Sequence, residues 1–297
     1  MSASGKSTAQ PKLSLAERLN SVYRTQGVRG IVLAIVRRIR PPRAKAMSVV
    51  RPFIRGATGL EIGGPSRFFT ARGHMPIYDE AARVDNCNFA RCTIWESDAS
   101  EGEFHFSPNR KPGRQFVAEA TDLAGVRDGS YDFVLSSHVL EHSANPLLAL
   151  TEWLRVLREG GVLVLVVPHK DGTFDHLRPV TTLEHLQEDF RARRSEDDLT
   201  HLEEVLALHD VSRDAGVHSI TLEERMSRNY EFRSMHHHVF NTQLAVNCVE
   251  ASGFTTLAVE PLLMDNIIVV ATKGRVQTAT ALRVPSPYPS DRGMSSE

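Results

Sequence analysis

The sequence predicts an α/β protein built on a mostly parallel sheet, and three observations carry that prediction. From residue 57 onward, short apolar runs alternate with helical patterns, the rhythm of linked β-α-β units. Polar residues recur where those runs end, in "TGLEIGG", "VAEATD" and "VLSSHVLEH". "GVLVLVVP" is apolar at consecutive positions, as a strand covered on both faces requires.

"TGLEIGG" is the first strand, closing on glycines, and "ARVDNCN" is the second. "RQFVAEATD" is the third, and the "EFHFSPNRKPG" before it reads as a hairpin. "YDFVLSSHV" is the fourth. "PLLALTEWLRVLREGG" has an amphipathic helical period, with Asn145 placed to cap its start and Gly160 and Gly161 to stop it. "GVLVLVVP" is the fifth strand, ended by Pro168. Residues 169–238 form a polar, histidine-rich insertion, helical near 181–193 and 196–209. "NTQLAVNCVEASGF" is a helix that Asn241 or Thr242 can cap. "TTLAVEPL" and "NIIVVATKG" complete a set of seven strands, and the Ser/Pro-rich residues 275–297 are expected to fray.

Composition narrows the class. The 297 residues carry a formal net charge of −1, so bulk charge names no partner. Residues 1–56, however, hold twelve Lys/Arg against the single acid Glu17, a net +11 that leaves −12 for the rest. Residues 13–40 have helical apolar spacing, ended by Pro41 and Pro42. This basic segment can be a lid helix, a solvated face or a docking helix for anionic membrane. Sparse aromatics there, and an acidic domain behind it, argue against a nucleic-acid partner. Three cysteines with no C-x-x-C pair fit a reducing compartment. No run reaches the roughly 18–20 apolar residues of a membrane span, so a cytoplasmic protein, peripheral to membrane at most, is expected.

"SSHVLEHS" poses a specific question, because His138, Glu141 and His142 have the H-x-x-E-H spacing of a zinc site. That chemistry needs all three on one helix. Here His138 follows directly on a strand and His142 precedes a helix start, so the stretch reads as a structural turn. No metal site is expected from the sequence. The other polar strand ends point to a small-molecule site, since open α/β sheets bind ligands beyond the carboxyl ends of their strands. A glycine turn after the first strand and an acid, Asp85, in the second have the layout of nucleoside-binding folds.

Glu61 with Gly63-Gly64, Asp85, "EATDL" and "DGSYDFVLSSHVLEHSANPLLALTEWLRVLREGGVLVLVVP" resemble a class I S-adenosylmethionine-dependent methyltransferase, in its type 11 branch. "PHKDGTFDHLRPVTTLEHL" further resembles methyltransferases of bacterial polysaccharide assembly. The resemblance covers roughly residues 57–274. It implies a Rossmann-like, mostly parallel seven-stranded sheet with an antiparallel last strand and a helical insertion between strands 5 and 6. It implies S-adenosylmethionine as cofactor and a small-molecule or carbohydrate acceptor methylated at oxygen, and it leaves the oligomeric state open. Glu61, Gly63 and Gly64 would line its methionine part, Asp85 would hold the ribose, and Glu119 and Ala120 would face the adenine. Ser137 and His138 would stand near the sulfonium. Leu140-Glu141-His142 recurs in such enzymes, which supports the structural reading of the turn. The pattern departs at Pro65 and Ser66, where a third glycine is usual. The insertion is the natural acceptor-recognition element. His169 and His138, each at a strand end, are the candidate bases, with Asp175 and His209 next. The alternative is a non-catalytic binding module of the same fold.

Overall fold

Leu163–Val167 and Ile267–Ala271 are buried at every position, because both faces of the sheet they occupy are covered. The computed structural model describes residues 42–91, 101–214, 220–262, 265–274 and 281–291. The predicted helix 13–40, and with it the lid and membrane readings, lies outside the described residues.

Among the described residues, nine strands form one sheet: β1 (Thr58–Ile62), β2 (Arg83–Asn88), β3 (Gly102–Phe104), β4 (Gly113–Val117), β5 (Tyr131–Ser137), β6 (Leu157–Pro168), β7 (Phe254–Leu262), β8 (Asn266–Lys273) and β9 (Leu282–Arg283). Their spatial order is β3-β4-β2-β1-β5-β6-β8-β7-β9. Pairing is parallel from β4 through β2, β1 and β5 to β6, whereas β8 runs antiparallel to both β6 and β7. The seven expected strands are therefore present, with the last one antiparallel. Two short strands extend the edges: β3 pairs antiparallel with β4, the expected hairpin, and β9 pairs parallel with β7.

The helices are α1 (Ala46–Ile54), α2 (Ile77–Glu80), α3 (Pro146–Val156), α4 (Leu183–Ala192), α5 (Leu202–Leu208), α6 (Leu222–Ser227), α7 (Asn229–Phe232) and α8 (Thr242–Ala251). Strand residues alternate between two cores. Leu163, Leu165 and Val167 pack with Leu150 and Trp153 of α3 and Val249 of α8. Val162, Val164 and Val166 pack on the other face with Val50 and Ile54 of α1 and with Phe69 and Tyr78. Asn145 caps α3, its side chain accepting from Leu148 N at 3.1 Å, and Asn241 caps α8, accepting from Leu244 N at 2.9 Å. Helix α3 stops at Val156, four residues before Gly160, because Leu157 already pairs with Tyr131 as β6 begins.

Residues 281–291 do not fray. Beyond β9, Tyr288 is buried and Asp291 accepts from the Thr242 hydroxyl at 2.5 Å, so this segment straps across the end of the sheet. The insertion folds as α4–α7 and lies over the carboxyl ends of β4 and β5.

Candidate active site

The cavity stands where the parallel strands end, and its floor begins with β1. Gly63 follows at φ +76°, a conformation open to glycine, and a Cβ there would come within 2.5 Å of Val139. Asn86 clamps the next residue from both sides: Gly64 N donates to Asn86 Oδ1 at 2.9 Å, and Asn86 Nδ2 donates to Gly64 O at 3.0 Å. Asn88 Nδ2 adds a third bond to Gly64 O at 3.1 Å. A side chain at 64 would collide with the Glu61 carboxylate at 2.4 Å.

Glu61 shapes this loop from beneath. Fully buried, it accepts from Ser66 N at 3.0 Å and from the Tyr78 hydroxyl at 2.5 Å. Burial pushes its carboxyl up to about 7, against the lowering effect of those two donors. Glu61 does not line the cavity; Gly63, Gly64, Pro65 and Ser66 do. Pro65 and Ser66, the departures from a third glycine, continue the wall.

Asp85 corrects the sequence reading. β2 runs on to Asn88, so Asp85 sits opposite Leu60 inside the sheet and not at its end. Its carboxylate accepts from Arg83 Nε at 2.7 Å, Arg114 N at 2.8 Å and the Tyr131 hydroxyl at 3.0 Å. The β2 end in the cavity is Asn88 and Phe89. The predicted strand had the right end, but the acid singled out in it lies three residues before that end.

Glu119 and Ala120 line the cavity at the end of β4. Trp153 Nε1 donates to Ala120 O at 3.0 Å and fixes that end against α3. The Glu119 carboxylate is gripped by Arg233 of the insertion, which also lies 3.3 Å from Glu196 and over the Phe89 ring at 4.8 Å. No feature of the local sequence marks Arg233; its role depends on contact with a residue 114 positions earlier.

Ser137 and His138 line the cavity at the end of β5. His138 has φ +55°, which is uncommon for a residue with a Cβ and turns the chain sharply at the strand end. Its Nε2 lies 2.9 Å from Asn266 Oδ1, its Nδ1 lies 3.6 Å from Glu141 Oε1, and about a third of the side chain is exposed.

The H-x-x-E-H stretch is not helical as a unit: Leu140–His142 is a single 3₁₀ turn. The turn docks the insertion. Glu141 O accepts from His237 N at 2.8 Å, and His142 Nδ1 lies 3.2 Å from Met235 O. The Glu141 side chain faces the cavity, buried, with no hydrogen-bond partner for either oxygen among the described residues. Burial raises its pKa, against the lowering effect of the nearby His138 and His236.

Two expected bases are placed elsewhere. His169 is fully buried, its ring stacked on Tyr288 at 3.7 Å and its Nε2 3.3 Å from Asp291. The C-terminal strap covers it, and it does not line the cavity. Asp175 is buried between Arg178 Nη1 at 2.9 Å and His236 Nδ1 at 2.5 Å. Burial works to raise its pKa, but His236 and Arg178 outweigh that and pull it down to about 2. Asp175 thus orients His236, which lines the cavity, and does not reach the cavity itself. His209, next in line, stacks on Phe174 and pairs with Asp214 at 3.2 Å.

The cavity these residues enclose measures about 600 Å³, within the usual range for small-molecule sites. Arg213, Asp214 and Arg225 of the insertion and Asp265 beyond β7 complete its wall.

Comparison with known proteins fits this picture. Residues 80–165, from the end of α2 through most of β6, match the family model described as "Methyltransferase domain". An uncharacterized methyltransferase of Mycobacterium sp. (strain JLS) is 31% identical over 112 residues, 37% of this chain and 38% of that one. Another, from strain KMS, is 40% identical over 63 residues, 21% of this chain and 25% of that one. The chain thus spans well under half the length of the curated relatives it matches. Among solved structures, an S-adenosylmethionine-dependent methyltransferase from Mesorhizobium loti is similar at 15% identity and TM-score 0.46, covering 77% of this chain and 96% of that one. A SAM-dependent methyltransferase from Aquifex aeolicus is similar at 12% identity and TM-score 0.42, covering 77% and 90%.

Proposed function

We propose that this protein transfers a methyl group from S-adenosylmethionine to an oxygen of a small-molecule or carbohydrate acceptor. One observation carries the reading. A cavity at the carboxyl ends of β1, β2, β4 and β5 joins a glycine turn, an acid at the β4 end and a histidine at the β5 end. The methyltransferase-domain match spans three of those four strands.

The residues present suit the cofactor. Gly63 and Gly64 leave the β1 turn without side chains, so a ligand can lie against its backbone. Glu119 and Ala120, lining the cavity at the β4 end, would face the adenine. Asn88, which lines the cavity at the β2 end, would take the ribose in place of Asp85. The buried Glu141 carboxyl accepts no hydrogen bond among the described residues, and its ionised form would favour positive charge nearby, as a sulfonium carries. When bound, S-adenosylmethionine supplies an electrophilic methyl group and leaves as a neutral thioether.

His138 is the base this reading requires. It stands partly exposed in the cavity, with Glu141 behind Nδ1 and Asn266 beside Nε2. His138 would take the proton of the acceptor hydroxyl, and Glu141 would stabilise the imidazolium that results. Arg213 and Ser234, beside the Arg225–Asp214 ion pair, line the part of the cavity that a polyhydroxylated acceptor would engage.

The competing reading is a non-catalytic module in a glycan-assembly complex, favoured by the absence of an acid at the β2 end. Calorimetry separates the two. The enzyme binds S-adenosylmethionine and S-adenosylhomocysteine at micromolar levels; no heat and no thermal shift at millimolar concentration would leave the module.

A further inference from the structure

Away from the cavity, four side chains of the insertion converge on one point. His185 and Asp189 lie four residues apart on one face of α4. His201 stands at the N-terminal boundary of α5, and His238 closes the three-histidine run before α8. His185 Nε2 is 3.1 Å from His201 Nε2 and 3.2 Å from Asp189 Oδ2. His238 Nε2 is 3.0 Å from the same Asp189 oxygen, and all four ligand atoms lie within 4.8 Å of one another.

Protons satisfy this arrangement poorly. A ring nitrogen either carries a hydrogen or offers a lone pair, never both. If His185 Nε2 donates to Asp189, its lone pair is gone, and the His201 nitrogen beside it gains at most a shared hydrogen. One divalent cation would use all four lone pairs together. Zinc–nitrogen bonds of about 2.0–2.1 Å set tetrahedral ligand atoms about 3.3 Å apart, close to the 3.0–3.2 Å found along three edges.

The supporting contacts agree. His238 Nδ1 lies 3.3 Å from Ser143 O, and Arg194 Nε lies 3.5 Å from the other Asp189 oxygen, leaving Oδ2 for the site. His185 and His201 are only half-buried, so an ion can enter from solvent.

We propose that His185, Asp189, His201 and His238 bind a structural zinc ion. Three imidazoles and one carboxylate, with no fifth position needed, match closed tetrahedral zinc better than magnesium or calcium, which take oxygen ligands. The ion ties α4, the start of α5 and the histidine run together. That run continues back to His236 and Arg233 in the cavity wall, so the ion would hold the acceptor side of the cavity in shape. The inference does not rest on the methyltransferase reading, and its test needs no substrate.

The untagged full-length protein, expressed with zinc present and passed over a weak chelating resin, should carry about one zinc per chain by elemental analysis. His201→Ala should lose at least nine-tenths of it while keeping the wild-type circular dichroism spectrum. His201→Cys should recover it, since thiolate is also a zinc ligand. His209→Ala, outside the cluster, should keep its zinc. Cobalt added to the metal-free protein should give the intense visible bands of a tetrahedral site, absent in His201→Ala. Folded wild type that holds less than a tenth of a zinc, shows no thermal shift on adding zinc and gives no such bands would overturn the proposal. So would zinc lost equally from His209→Ala.

Discussion

Arg233 grips Glu119 through two hydrogen bonds, Nη2 to Oε1 at 2.7 Å and Nη1 to Oε2 at 3.1 Å, and so fastens the insertion to the end of β4. Arg233 is nearly buried and Glu119 about a third exposed, which places the pair between a surface bridge and a core bridge. A double-mutant cycle with Arg233→Ala and Glu119→Gln, read by denaturant unfolding, should give a coupling of about 1–2 kcal/mol. Arg233→Ala should also weaken S-adenosylmethionine binding, because Glu119 loses its fixed position. Zero coupling with unchanged affinity would mean that the pair is no latch.

Asp85 and Asn88 should separate cleanly. Asp85→Ala leaves Arg83, the Arg114 amide and the Tyr131 hydroxyl without their acceptor, and stability should fall by about 1–3 kcal/mol. Its cofactor affinity should stay within about twofold, since it does not reach the cavity. Asn88→Ala should weaken cofactor binding about tenfold, a loss of about 1.4 kcal/mol. The opposite pattern in calorimetry would return the ribose to Asp85.

His138 and His169 test the base. His138→Ala should lower turnover by about 10²–10⁴ with a small change in cofactor affinity. His169→Ala should lower the melting temperature by removing the ring stacked on Tyr288, with turnover per folded molecule unchanged. If His169→Ala were the slow variant and His138→Ala the active one, proton transfer would have to run beneath the C-terminal strap.

Glu61 gives a pH dependence with a definite sign. Its carboxyl rises from 4.5 to about 7 in the fold, so between those values the native state holds a proton that the unfolded chain has released. Stability from this group is full below about pH 4.5 and is lost as pH rises through about 7. Glu61→Gln cannot titrate and should lose less stability than the wild type across that window. Parallel melting curves for the two proteins from pH 4.5 to 7.5 would remove this assignment.

Much of this protein is local, and the sequence by itself determined it. The apolar run ending at Pro168 could only be a doubly covered strand, and Asn145 and Asn241 cap helices through bonds that span three residues. Gly63, Gly64, Glu119, Ser137 and His138 were legible because they sit where recognisable strands stop. Tertiary structure decided whatever depends on partners distant along the chain. His169 has the position of a base until Tyr288 and Asp291 cover it from more than a hundred residues away. Asp85 has the residue type of a ribose ligand until pairing sets it opposite Leu60 inside the sheet, three residues before β2 ends. The four candidate zinc ligands span residues 185–238 on one helix, the cap of a second and an irregular run, and only His185 and Asp189 share a helical spacing. Only folding brings their ring nitrogens and carboxylate together, because lone pairs meet in space and spacing along a chain fixes that only within a single helix or turn.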